Sequence, residues 1–91
     1  MLNGKIQINN QEREGDYNFL GITVYTTKGF AETFKQETHE IILESLILIS
    51  ENFPHADYFQ TFNYELPEGK VIRYWCIHDK THITFLLPEE Y

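Results

Sequence analysis

The sequence predicts an α+β domain in which one central helix packs on one face of an antiparallel sheet of about five strands, in the order β-β-α-β-β-β. Three observations predict it. Several short runs alternate apolar and polar residues at period two. One run of about 20 residues repeats its apolar residues near period 3.6. Turn-forming Gly, Pro, Asp and Asn residues punctuate the boundaries between them.

Taken in order, residues 5–8 place Ile6 and Ile8 on one side and read as a short strand, and the polar run over residues 9–16 reads as a loop. Residues 18–26 read as a longer strand. Leu20, Ile22 and Val24 point one way and Phe19, Thr23 and Tyr25 the other, so both of its faces carry apolar area. These two strands are expected to form an N-terminal hairpin. Thr27-Lys28-Gly29-Phe30 then turns the chain toward a helix expected over residues 33–52. Thr33 and Gln36 have the spacing of a capping box, and Pro54 follows where a helix cannot continue. Thr38, Ile42, Leu46, Ile49 and Phe53 share the face toward the sheet, while Glu37, Glu40, Glu44 and Glu51 form an acidic stripe opposite. Ile41, Leu43, Ile47 and Leu48 fill both flanks, an apolar arc wider than one sheet face covers.

The C-terminal half reads as a three-strand meander. Residues 57–65 alternate Tyr58, Phe62 and Tyr64 against Phe59, Thr61 and Asn63. After the turn at Leu66-Pro67-Glu68-Gly69, residues 70–78 set Val71, Arg73, Trp75 and Ile77 against Ile72, Tyr74, Cys76 and His78. Residues 82–87 close the meander before Pro88. Aromatics such as Phe59, Tyr74 and Tyr25 lie beyond what one helix shelters, and a second subunit is the simplest cover.

Composition narrows the function classes. Ninety-one residues are enough for one domain, spanning 1–91, and too few for two separate cores. Fourteen acidic against 7 basic residues give a formal charge of −7, which argues against a partner whose phosphates must be neutralised by clustered Lys and Arg, so no direct nucleic-acid binding is expected. The single cysteine, Cys76, cannot form an intramolecular disulfide, and a reducing cytoplasm is the expected compartment. The first residues lack the pattern of a signal peptide. No apolar run approaches the ~18–20 residues a membrane span needs.

Three blocks carry a resemblance. The C-terminal stretch Trp75-Cys76-Ile77-His78-Asp79-Lys80-Thr81-His82-Ile83-Thr84-Phe85-Leu86-Leu87-Pro88-Glu89-Glu90-Tyr91 resembles the closing motif of a Gram-positive and phage family catalogued as domain of unknown function 960. Tyr25-Thr26-Thr27-Lys28-Gly29-Phe30 and Asp57-Tyr58-Phe59-Gln60-Thr61-Phe62 are similar to two other blocks of that family; the resemblance is read over about two thirds of the chain, and these three blocks supply 29 of its residues. The chain departs from the pattern by lacking an insert between the last strands and by carrying extra N-terminal residues. The resemblance implies no chemistry. It implies a setting in bacteriophages and mobile elements, with roles in host takeover or anti-defence.

Chemistry-bearing constellations are sparse. His78, Asp79 and His82 flank a tight turn and are candidates for a two-histidine, one-carboxylate metal site completed by His55 or Asp57; the plainer reading is a hairpin turn in which Asp79 bonds backbone amides. His39-Glu40 lacks the second histidine of the zinc-protease helix motif, since Leu43 stands four residues on. Cys76 and His78 share a strand face, but a lone strand cysteine is ordinarily a small buried hydrophobe. The acidic stripe resembles a row of phosphates, or is simply a solvated helix face. Tyr58, Phe59, Tyr64, Tyr74 and Trp75 are the candidate binding aromatics, either lining a pocket for a planar ligand such as a nucleotide or packing in the core and a dimer seam.

With no catalytic constellation, the expectation is a non-enzymatic, acidic, homo-oligomeric binding protein that needs no cofactor and inhibits a host protein, either a defence factor or a nucleic-acid enzyme. Two other expectations stand beside it: a sponge that sequesters a nucleotide signal, and a metal-dependent hydrolase at His78 and His82.

Overall fold

A computed structural model describes residues 2–91. Its strands are β1 (Lys5–Ile8), β2 (Thr23–Thr26), β3 (Phe59–Glu65), β4 (Val71–His78) and β5 (His82–Leu86). Between β2 and β3 lie α1 (Lys28–Phe34) and α2 (Thr38–Asn52), joined by a single 3-10 turn over Lys35–Glu37; a second 3-10 turn, Pro88–Glu90, ends the chain. This is the expected α+β architecture, a helical layer on a five-stranded sheet that is mostly antiparallel.

The sheet order is β1-β3-β4-β5-β2. β3, β4 and β5 form the expected meander, with Phe62 opposite Tyr74 and Cys76 opposite Phe85. The N-terminal hairpin is not formed. β1 pairs antiparallel with β3 at one edge, and β2 pairs parallel with β5 at the other, so three strands separate them. The physical reason lies in residues 9–22, which hold no tight hairpin turn. They run as an extended strap along the chain after α2: Gly15 N donates to His55 O (3.1 Å) and Tyr17 N to Ala56 O (3.1 Å). The Gln11 amide adds two clasps, donating to His55 O (2.9 Å) and accepting from Asp57 N (2.8 Å). The strand expected over residues 18–26 shortens accordingly. Asn18 Oδ1 accepts from Leu20 N (3.0 Å) in a local turn, Gly21 takes a positive φ of 72°, and Phe19 drops into the core at 3% exposure.

The helix begins earlier than its periodicity indicates. Thr27 is the N-cap, its side chain accepting from Phe30 N (3.2 Å), and Thr33 lies exposed inside α1 rather than capping anything. Lys35 ends α1 with φ of 51°, where a β-carbon is strained, and the chain restarts as α2. α2 buries Ile41, Ser45, Leu46 and Ile49, one stripe at 3.6-residue spacing, with Thr38, Ile42 and Phe53 half-buried beside it. On the outer flank Leu43 and Ile47 remain about half exposed.

The core is aromatic. Phe62 and Tyr74 stack at 4.9 Å with planes 7° apart, and Phe30 and Phe34 meet the Tyr74 ring edge-on at 5.5 Å each. Burial of each large ring contributes about 1.5–3 kcal/mol. The buried polar pair Ser45 and Tyr74 is satisfied: Ser45 donates to Ile41 O (2.6 Å), which leaves Tyr74 to donate its hydroxyl proton to Ser45 Oγ (2.6 Å). Burial pushes the Tyr74 phenol far above its ordinary pKa, so it stays neutral.

Candidate functional site

Strand alternation divides the five candidate aromatics between two surfaces. Tyr64 and Tyr74 face the helices and are buried; Phe59 and Trp75 face the opposite side; Tyr58, just before β3, is about half exposed at the sheet end. They do not line one pocket.

The face away from the helices keeps part of its apolar surface accessible, as does the outer flank of α2 at Leu43 and Ile47. Register places Phe59, Ile77, Thr84 and Tyr25 in one row across β3, β4, β5 and β2, and Thr61, Trp75 and Leu86 in the next. Phe59 meets Trp75 edge-on at 5.0 Å, and Tyr91 packs on the far side of Trp75 at 5.6 Å while staying 84% exposed. Tyr25 is half exposed and touches the His82 ring. Asn63, Arg73, Lys5 and Glu65 close the rim at the β1 side. A shallow cleft of about 170 Å³ adjoins Phe59, between it and the strap residues Gln11, Glu12 and Arg13. Ile77, Leu86, Tyr25 and Tyr91 were not among the candidate residues. Ile77 and Tyr25 could have been found by carrying the alternation across strands once the order was known.

The C-terminal residues form a second device. The Glu90 carboxylate accepts from Thr27 Oγ1, from Gly29 N (3.0 Å) and from Leu87 N (2.9 Å), and so sits on the first turn of α1. These contacts, with that from Thr27 the largest, hold its carboxyl below the ordinary glutamate range. A β-carbon at position 29 would lie 2.4 Å from Glu90 Oε2, so only glycine admits the carboxylate there.

The metal candidates are differently employed. The His78 side chain is buried, its Nδ1 accepting from Lys80 N (2.8 Å), which leaves the proton on Nε2 to donate to Asn18 O (3.0 Å). Both ring nitrogens are occupied. Asp79 follows the plainer turn reading: Oδ1 accepts from His82 N (3.0 Å), Thr81 N (3.1 Å) and Thr81 Oγ1 (3.1 Å), and these bonds, led by that from His82, lower its carboxyl pKa. His82 Nε2 lies 3.1 Å from Asp79 Oδ2. His55 pairs instead with Asp16 (3.2 Å), and Asp57 accepts from Tyr58 N (2.8 Å). Among the described residues no group of three or more His, Cys, Asp or Glu side chains is placed to hold a metal ion. Cys76 is fully buried, and desolvation drives its thiol far above the ordinary value, so it is no nucleophile in the folded chain.

The acidic stripe narrows. Glu37 is half-buried and turned toward the sheet edge, where Oε2 accepts from Asn3 N (2.8 Å) and the Tyr64 hydroxyl (3.1 Å). Glu40 is half-buried, while Glu44 and Glu51 stand exposed on α2, a helix without Lys or Arg. No described helix is long and apolar enough to cross a membrane. Comparison of the chain with models of known protein families, with curated proteins and with solved structures returns no match.

Proposed function

We propose that this is a non-enzymatic binding protein whose contact surface is the sheet face opposite the helices. The observation that carries this reading is the row of Phe59, Ile77 and Tyr25 with Trp75 and Tyr91 beside it, an apolar and aromatic patch left accessible on a sheet whose other face is packed. Aromatic residues concentrated at the centre of a surface and ringed by polar ones have the composition of a protein-binding hot spot. The partner we propose is a host protein, a defence factor or a nucleic-acid enzyme, and the phage or mobile-element setting is carried over from the family resemblance alone. The cytoplasm is the compartment that fits a lone, buried, reduced cysteine. Self-association belongs to the same proposal.

The nucleotide-sponge reading has less support, because Phe59 and Trp75 meet at 80° and leave no parallel slot for a planar ring. Binding to a purified host partner, measured by calorimetry, tests the proposal. Trp75→Ala and Phe59→Ala are expected to weaken binding at least about tenfold with the melting transition retained. Glu44→Gln on the helix side is expected to change nothing. Equal losses from Glu44→Gln and Trp75→Ala would move the site to the acidic helix and overturn this reading.

A further inference from the structure

The two sheet edges are not equivalent. β1 carries Lys5, and Asn9-Asn10 follow it, a charged and polar edge of the kind that discourages strand addition. β2 is Thr-Val-Tyr-Thr, with no charge and no proline. Thr27 N donates to Phe85 O (3.0 Å), which fixes the phase of the parallel ladder: Thr23, Tyr25 and Thr27 turn their backbone toward β5, while Val24 and Thr26 turn theirs outward. Among the described residues nothing hydrogen-bonds the outward N–H and C=O groups of Val24 and Thr26.

We propose that β2 is a self-pairing edge at which a second copy of this chain adds its own β2 antiparallel, across a twofold axis through Tyr25. Outward groups must meet outward groups, and of the twofold registers that do so this one engages both outward residues of β2: Val24 faces Thr26 of the second copy, exchanging both backbone hydrogen bonds, and Tyr25 faces Tyr25. The occupant is a second copy because the seam is uncharged in a chain of net charge −7, so two copies approach here without opposing carboxylates on the strands. The pairing also carries the row Phe59, Ile77, Thr84 and Tyr25 unbroken into the second molecule, with all helices on the same side. A four-residue seam holds few bonds, so the dimer is weak and depends on the Tyr25 pair. This inference deepens the self-association part of the proposed function and stands whether or not the sheet face binds a host protein.

Sedimentation equilibrium of the full chain tests it. The wild type is expected to show a concentration-dependent monomer–dimer equilibrium. Tyr25→Lys, which opposes two charges on the axis, is expected to raise the dissociation constant at least about tenfold. Trp75→Ala is expected to leave the dimer intact, which separates this test from that of the binding face. A wild type that is monomeric throughout, or a dimer indifferent to Tyr25→Lys, would overturn the proposal.

Discussion

Tyr74, Cys76 and His78 alternate along β4 with Arg73, Trp75 and Ile77, and the two sets meet opposite fates. On the helix side the oxygen and nitrogen atoms of the set are matched: the Tyr74 hydroxyl reaches Ser45, and both His78 nitrogens reach backbone. On the other side Trp75 meets Phe59 and Tyr91 edge-on, with no hydrogen-bonded partner in the core among the described residues. The same strand therefore packs the core with one set of residues and leaves the other set half-buried or exposed on the open face of the sheet.

The sharpest way to break that comparison is to truncate both faces. Tyr74→Ala is expected to cost about 3–5 kcal/mol in urea denaturation, a large share of the roughly 5–15 kcal/mol available to a domain. Trp75→Ala, half-buried on the free side, is expected to cost about 1–2 kcal/mol. If the two losses were equal, both faces would be structural and the distinction would fall. Tyr74→Phe refines it, with an expected cost of about 1 kcal/mol because Ser45 keeps its bond to Ile41 O.

A smaller effect is expected between the two helices. Lys35 sits at φ 51° with ψ −121°, a region glycine occupies freely, so Lys35→Gly is expected to stabilise the chain by about 1 kcal/mol, read as a rise in the urea midpoint.

The clasp at Glu90 gives a pH signature. Its folded pKa is depressed, so its contribution is complete above the ordinary glutamate value of about 4.3 and fades as pH falls through the lower folded value. Glu90→Gln is expected to lower the melting temperature at neutral pH, with the gap to wild type closing under acid. A gap constant with pH would assign the loss to something other than the carboxylate. Least in energy is Cys76: its thiol is expected to react with a disulfide reagent only at the rate of unfolding, and promptly in denaturant.

How much of this could be read beforehand follows from how local each feature is. Period-two alternation assigned the residues of β3 and β4 to their correct faces, because side-chain direction in a strand is a local property. The start of α1 was misplaced from Lys28 to residue 33, because part of its N-terminal cap comes from Glu90, some sixty residues later. The partner of β2 was equally hidden. Nothing near Val24 indicates that it lies beside Ile83, and a hairpin with β1 is the default for strands adjacent in sequence. For the candidate site, Phe59 and Trp75 on the open face and Tyr64 and Tyr74 in the core were grouped together by residue type, because an aromatic on a strand looks alike whichever face it takes. His78 looked like a ligand until its partners, Asn18 O and Lys80 N, were visible.

The parallel contact of β2 with β5 has a further consequence, in time rather than in space. During synthesis, residues 23–34 leave the ribosome with neither their strand partner nor the carboxylate that closes α1 yet made. Strand β2 and helix α1 must wait for residues 82–90, so the N-terminal third cannot complete its structure ahead of the rest, and the chain folds as a whole only once its last strand is available.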